Sequence, residues 1–253
     1  MHNKYKLYAL ISSILLVVFL LFLCLSAFYQ TEWAISVLEY YNPRALIRFK
    51  KCPIKAVALT FDDSPSQATK YLLDILKQNN ATATFFLMGL RVDQLTNITK
   101  RITRKHQQIL RNGNDIGNHM YNEYRAFELS QADFFGEFNK TDFLLNRGYW
   151  DNNNNFKWFR PSSFFAKDYM YTIVEKYGYK MVLGSVHSFD MQIQNGRYNM
   201  MALMGRIKSG DIVICHDILQ SVGYIESLVV YLRSQGYEIL SLSKMYDLCE
   251  GKK

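Results

Sequence analysis

The stretch IKAVALTFDDSP, Ile54 to Pro65, decides how the chain is read. Apolar and β-branched residues run from Ile54 to Phe61 and stop at Asp-Asp-Ser-Pro, a turn signal, so the segment reads as a strand. The next segment, QATKYLLDILKQNN, carries Ala68, Tyr71, Leu72, Ile75 and Leu76 at helical spacing. The rhythm then repeats. ATATFFLMG is a strand, and ITKRITRKHQQILRNG is a basic helix closed by Gly113. NDIG is a short strand, and SQADFFGEFNKTDFLLNRG is a helix with Ser130 as N-cap and Gly148 at its end. FKWFR, YKMVLGS, DIVICHD and YEILSL complete the strands. The helices KDYMYTIVEKYG, YNMMALMGRIKSG and YIESLVVYLRSQG lie between them. Alternation of this kind predicts a parallel α/β fold, and about seven strands in roughly 200 residues suit an irregular (β/α) barrel better than a long open sheet. Met200, Met201 and Met204 read as helix core, and DNNNN (Asp151–Asn155) as a loop tip.

Upstream of this region the chain changes character. Leu7 to Phe28 holds no charge over 22 residues, and about 20 apolar residues span a bilayer as a helix. Lys4 and Lys6 precede the run, and Glu32 is the first charge after it. That asymmetry predicts a single-pass protein with residues 1–6 cytoplasmic, 7–28 as a transmembrane signal-anchor, 29–51 as a stem and a lumenal or extracellular domain over 52–253. The competing reading is a cleaved signal peptide, with Cys24-Leu25-Ser26 as the small-residue site; the domain is then secreted. The run has no polar face, which argues against a buried soluble helix. The formal charge of +8 is shared evenly by residues 1–51 and the rest. No basic run or stripe of the kind that binds nucleic acid interrupts it, so a nucleic-acid role is not expected.

Three of the four cysteines follow the apolar run. Cys52 opens the expected domain and Cys249 closes it. Domain termini often lie close together, and a translocated domain meets an oxidising compartment. A Cys52–Cys249 disulfide is therefore expected, with Cys215 free inside a strand. Asn80-Ala-Thr, Asn97-Ile-Thr and Asn139-Lys-Thr are compatible with glycosylation.

Residue types that carry chemistry gather at strand ends, where an α/β barrel places its active site. Asp62 and Asp63 follow the first strand, His119 and Glu123 the third, and Arg160 ends KWFR. His187 and Asp190 follow MVLGS, and His216 and Asp217 end DIVIC. No glycine-rich phosphate loop accompanies them. Each is ordinary by itself; five strands in succession ending in catalytic residue types are harder to dismiss.

These segments resemble the polysaccharide deacetylases with a NodB-homology domain, including chitin and peptidoglycan deacetylases, from about Val57 to Met245. LTFDDSP is similar to the family's T-F-D-D-G-P, and NDIGNHMYNE to the segment ending in H-[ST]-x-x-H. FRPSSF is similar to F-R-P-P-Y-G, SVHSFDM to D-x-x-D-W, and GDIVICHD to I-V-L-x-H-D. The resemblance implies Asp62 as general base, with Asp63 and His119 as metal ligands. It implies Arg160 as the group that holds Asp62, Asp190 as the support of His216, and His216 as the general acid. The chain departs from the pattern at four places. Glu123 stands where the second metal histidine falls. Ser163 replaces the motif tyrosine, Met191 the tryptophan lining the acetyl pocket, and His187 an aspartate. Ile214 joins Ser163 and Met191 as an expected pocket wall.

The resemblance implies a divalent metal as cofactor, zinc first. The Asp63/His119/Glu123 donor set is harder than Asp/His/His, which leaves room for cobalt, manganese or iron. It implies a hydrolase that removes N-acetyl groups from N-acetylglucosamine units of a chitin-like wall or surface polysaccharide. The partners would be an N-acetylated glycan polymer and, through the N-terminal helix, a membrane. The alternative is a catalytically impaired glycan-binding or structural member of the same fold.

Overall fold

The computed structural model describes residues 2–28, 30–98, 109, 112–146, 156–163 and 165–251. It divides into two units, Met1–Tyr41 and Asn42–Lys253. The expected basic helix over 98–113, the loop tip 151–155 and Gly148 fall largely or wholly outside the described residues.

The first unit holds two helices, α1 (His2–Phe28) and α2 (Glu32–Tyr41). Lys4–Ser26 is long and apolar enough to cross a membrane. The segment expected as a stem therefore holds a helix, which starts on Glu32, a residue whose charge suits a helix N-terminus.

The second unit is built on parallel strands. They are β1 (Ala56–Ser64), β2 (Thr84–Leu87), β3 (Asp115–Asn118), β4 (Lys157–Phe159), β5 (Tyr179–Met181), β6 (Val186–His187), β7 (Ile212–His216) and β8 (Glu238–Leu240). Their order is β5-β4-β3-β2-β1-β7-β6, and β8 pairs with the start of β1. This is a curled half-barrel with β1 at its centre. β1 is buried along its length except at Asp63, which is why it reads as a continuous apolar run. Its two faces serve two clusters. Val57, Leu59 and Phe61 pack with Leu72 and Leu76 of α3 (Thr69–Gln78), and with Leu228 and Leu232 of the last long helix. Ala56 and Ala58 face Phe86, Trp158, Leu242 and Met245. Period-two alternation thus puts small residues toward the inside of the curl and large ones under the helices.

The remaining helices are α4 (Gly89–Ile98), α5 (Gln131–Asn146), α6 (Asp168–Lys176), α7 (Gly196–Met204), α8 (Leu219–Ser234) and α9 (Leu242–Glu250). Met200 packs against the core, but Met201 and Met204 are exposed, so the methionine cluster is only partly core.

Two differences from the sequence reading shape the site. First, YKMVLGS is not one strand. β5 ends at Met181 on one side of the sheet, and β6 begins at Val186 beside β7 on the other. Gly184, at φ +86, makes the crossing; a Cβ there would lie 2.8 Å from Ile214 Cδ1. Second, the compact unit begins at Asn42 rather than Cys52. Leu46 bridges to Val182 and Arg48 to Asp211, so this segment ties the β5 side to the approach of β7. Ile47 and Phe49 are buried by that arrangement. A disulfide joins Cys52 to Cys249, and Cys215 is a buried free thiol in β7.

Candidate active site

β1 does not end before its acidic pair; it carries both residues. Asp62 lies in register with His216 of β7, so the sheet itself sets a carboxylate beside an imidazole. Asp62 is buried. Arg160, just past β4, donates from Nη1 to Asp62 Oδ1 at 2.6 Å and to Thr60 Oγ1 at 2.8 Å. The guanidinium also lies 4.2 Å over the Phe86 ring, a face that favours a cation. Burial pushes the Asp62 carboxyl up, but the charges of Arg160, His119 and His216 outweigh burial and hold it below the ordinary carboxylate range.

The imidazole of His216 is held as firmly. Its Nδ1 lies 2.6 Å from Asp190 Oδ1, and its backbone N–H donates to Asp190 Oδ2 at 2.9 Å. Ser221 and Tyr224 of α8 also donate to Asp190 Oδ2. Burial lowers the His216 pKa, but Asp190, Asp62 and Asp63 raise it further, so the ring is protonated more readily than an ordinary histidine. Asp190 itself, despite burial, is kept well below the carboxylate range by those donors. With Nδ1 engaged, Nε2 is the nitrogen left to exchange a proton at the cavity.

His119 follows β3. Its Nδ1 lies 2.8 Å from the Arg160 carbonyl, and its Nε2 lies 3.5 Å from Asp63 Oδ1. The carbonyl orients the ring and turns Nε2 to the carboxylate, as a ligating histidine is oriented. Glu123 is placed differently. Its side chain is 69% exposed, and Oε1 accepts from Arg91 Nη2 at 2.9 Å. The same guanidinium donates to the Asp63 carbonyl and lies 4.0 Å from Asp63 Oδ2. Among the described residues no three His, Cys, Asp or Glu side chains gather as a metal-holding group. Asp63 and His119 fit a divalent ion as two of its donors; Glu123 is not brought to them in this geometry. Glu123 lines the same cavity as Asp63 and His119 but pairs with Arg91.

A cavity of about 370 Å³ joins these groups. Asp62, Asp63, His119, Glu123, Arg160 and His216 all line it, as do the expected wall residues Ser163, Met191 and Ile214. Asp190 stands behind His216. His187 also faces the cavity, with its ring 5.5 Å from that of His216. Its Nδ1 accepts from the Phe189 N–H at 2.8 Å, which puts the proton on Nε2. Burial and the His216 charge lower its pKa to about 4, so it is a neutral donor at neutral pH.

The backbone is strained where these residues are aimed. Asp63 has φ 58, Met120 φ 67 and Phe189 φ 61, each at or beside a site residue. Non-glycine residues take the left-handed region at a cost, and such positions cluster at functional sites. Sequence reasoning missed Arg91, Leu183 and Gln192, all at or near the cavity. Arg91 had one signal: it sits in MGLRVD, directly after the second strand.

The Polysaccharide deacetylase sequence profile matches residues 50–182. The chain is 31% identical over 204 residues to a peptidoglycan-N-acetylglucosamine deacetylase of Bacillus cereus, covering 76% of this chain and 88% of that protein. It is 27% identical over 194 residues to a peptidoglycan-N-acetylglucosamine deacetylase of Listeria monocytogenes, covering 76% of this chain and 39% of that protein. It thus spans about two fifths of the Listeria protein's length. Among solved structures it is similar to a mutant of a CE4 family pseudoenzyme with restored enzymatic activity. That likeness has a TM-score of 0.69 and 25% identity, and covers 83% of this chain and 73% of the other.

Proposed function

This chain belongs to the polysaccharide deacetylase family, hydrolases of carbon–nitrogen bonds other than peptide bonds, and from that premise we propose that it removes N-acetyl groups from N-acetylglucosamine units of a wall glycan. Peptidoglycan is favoured over the chitin-like polymer expected from sequence, because the relatives above act on peptidoglycan by name. The observation that carries the reading is the pair of opposed proton carriers in one cavity: Asp62 clamped by Arg160, and His216 clamped by Asp190.

Each residue's work follows from its surroundings. Asp62 is ionised and takes a proton from the attacking water. His216 is protonated and gives its Nε2 proton to the leaving nitrogen, which turns a poor amide leaving group into an amine. Acetate and a free amine are the products. Arg160 and Asp190 keep the two carriers in opposite charge states, the condition for acid–base work by one site. Ser163 offers a backbone N–H for the developing oxyanion, and Met191, Ile214 and Leu183 supply an apolar wall for the acetyl methyl. Asp63 and His119 would hold the divalent ion of this family, zinc being the first candidate; when bound it supplies an acidified water and a polarised carbonyl.

The apolar helix and the disulfide mark an extracytoplasmic chain. We place residues 42–253 outside the cell on a single-pass anchor, with Lys4 and Lys6 inside.

A second reading, an impaired member of the family, is favoured by one observation: Glu123 is bonded to Arg91 rather than gathered with Asp63 and His119. The test is acetate release by the purified full chain from peptidoglycan and from chitin oligomers, with zinc, cobalt or manganese added. Release from peptidoglycan supports the proposal. No acetate from any glycan with any of the three ions contradicts it and favours the second reading.

A further inference from the structure

We propose that Arg91 is a built-in counter-cation for the Asp63 and Glu123 carboxylates that competes with a divalent ion, so that Glu123 joins Asp63 and His119 only when the Arg91–Glu123 pair opens. The inference rests on the reading that Asp63 and His119 hold an ion.

Arg91 lies in the first turn of α4. Its two nitrogens reach both sides of the metal-facing groups: Nη1 donates to the Asp63 carbonyl at 2.5 Å, and Nη2 meets Glu123 Oε1 at 2.9 Å and Asp63 Oδ2 at 4.0 Å. One guanidinium therefore stands against two of the three carboxylate and imidazole groups expected to hold an ion. The arrangement is built rather than incidental. The loop that carries Glu123 is fastened to the start of α4 by three further bonds. Gly89 N–H donates to the Met120 carbonyl, Leu90 N–H to the Tyr121 carbonyl, and Tyr121 OH to Asp93 Oδ2 at 3.0 Å. The backbone leading to Glu123 is thus tied to the start of α4 at Met120 and Tyr121, and the proposed change is assigned to the Glu123 side chain.

Two physical effects act in opposite directions. Glu123 is largely exposed and Arg91 partly so, and an ion pair of that kind is weakly held. The pair can open. The charge cannot leave so easily, because the Asp63 carbonyl keeps the guanidinium in place. A fixed cation 4.0 Å from Asp63 Oδ2 repels a divalent ion held by that carboxylate, most strongly where burial limits screening by water. Arg91 would therefore weaken ion binding in two ways, by its standing charge beside Asp63 and by occupying the Glu123 carboxylate, and it would set how much free ion the protein needs.

The test is Co²⁺ and Zn²⁺ titration of the full chain in detergent, read by calorimetry and by the visible Co²⁺ spectrum. Arg91→Gln should bind at least about tenfold tighter than the wild type. Arg91→Lys, which keeps the charge, should stay within about threefold of the wild type. Arg91→Gln combined with Glu123→Gln should lose the part of the gain that the freed carboxylate supplies and so bind more weakly than Arg91→Gln. Unchanged or weaker binding by Arg91→Gln, with thermal unfolding intact, overturns the proposal, and so does a double variant that binds as tightly as Arg91→Gln. Should Arg91→Gln fail to fold, the wild type still decides. The ¹⁵N signal of its guanidinium should move on Zn²⁺ saturation, and a signal that stays put overturns the proposal. Acetate release is read separately. A chain that deacetylates but shows no Arg91 effect loses this inference and keeps the function; a chain whose affinity responds to Arg91→Gln but releases no acetate does the reverse.

Discussion

Asp190 illustrates how much one residue can set. It receives His216 through ring and backbone, and Ser221 and Tyr224 through their hydroxyls. Removing its charge takes away the main support of the His216 proton. The sign follows directly. Asp190 raises the His216 pKa, so Asp190→Asn lowers it, and the proposed general acid deprotonates at lower pH. The alkaline limb of kcat/KM should move to lower pH, with activity at neutral pH down by about tenfold or more. A profile whose alkaline limb is unmoved would show that His216 is not the acid. At this scale Asp62, His119, Arg160, Asp190 and His216 stood out in the sequence together, because successive strands end in such residues and their segments resemble one family's motifs, though each is ordinary by itself. Arg91 did not stand out. One arginine in the first turn of a helix is an ordinary solvent-facing residue until the fold brings Asp63 and Glu123 to it.

Among the elements, the strand–helix alternation was legible because buried parallel strands are apolar on both faces. The boundaries were less so. The first strand was expected to stop at Phe61, yet β1 runs to Ser64 and carries Asp62 and Asp63 within it. Turn chemistry in Asp-Asp-Ser-Pro misleads there, because β7 continues to pair with β1 as far as His216. YKMVLGS likewise looks like one strand, since nothing in its apolar run marks the crossing except Gly184. At φ +86, with Ile214 against the missing Cβ, Gly184→Ala must strain the backbone and push a cavity wall. It should cost about 1–3 kcal/mol in urea unfolding and slow acetate release without moving the pH profile. An alanine variant as stable as the wild type would mean that the crossing tolerates a side chain there.

The whole molecule combines an apolar helix, a disulfide linking the two ends of its folded unit, and a cavity that opens where the strands of the half-barrel end. That combination suits an enzyme working on polymer outside the cytoplasm. The disulfide closes a long loop across the domain ends, which restricts the unfolded chain. Family and fold class were readable from motif order, and the N-terminal apolar helix from hydropathy. The state of the ion site was not, because it depends on where the Glu123 side chain points, and sequence spacing does not fix that. The central claim, that the cavity hydrolyses N-acetyl groups, is tested most directly by counting products: acetate and free glycan amines from the same peptidoglycan digest. The account predicts one acetate for each amine with the wild type. It predicts a loss of both by roughly 10²–10⁴-fold in Asp62→Asn and His216→Ala, with both variants folded. Amine and acetate release that survives in either folded variant would contradict it.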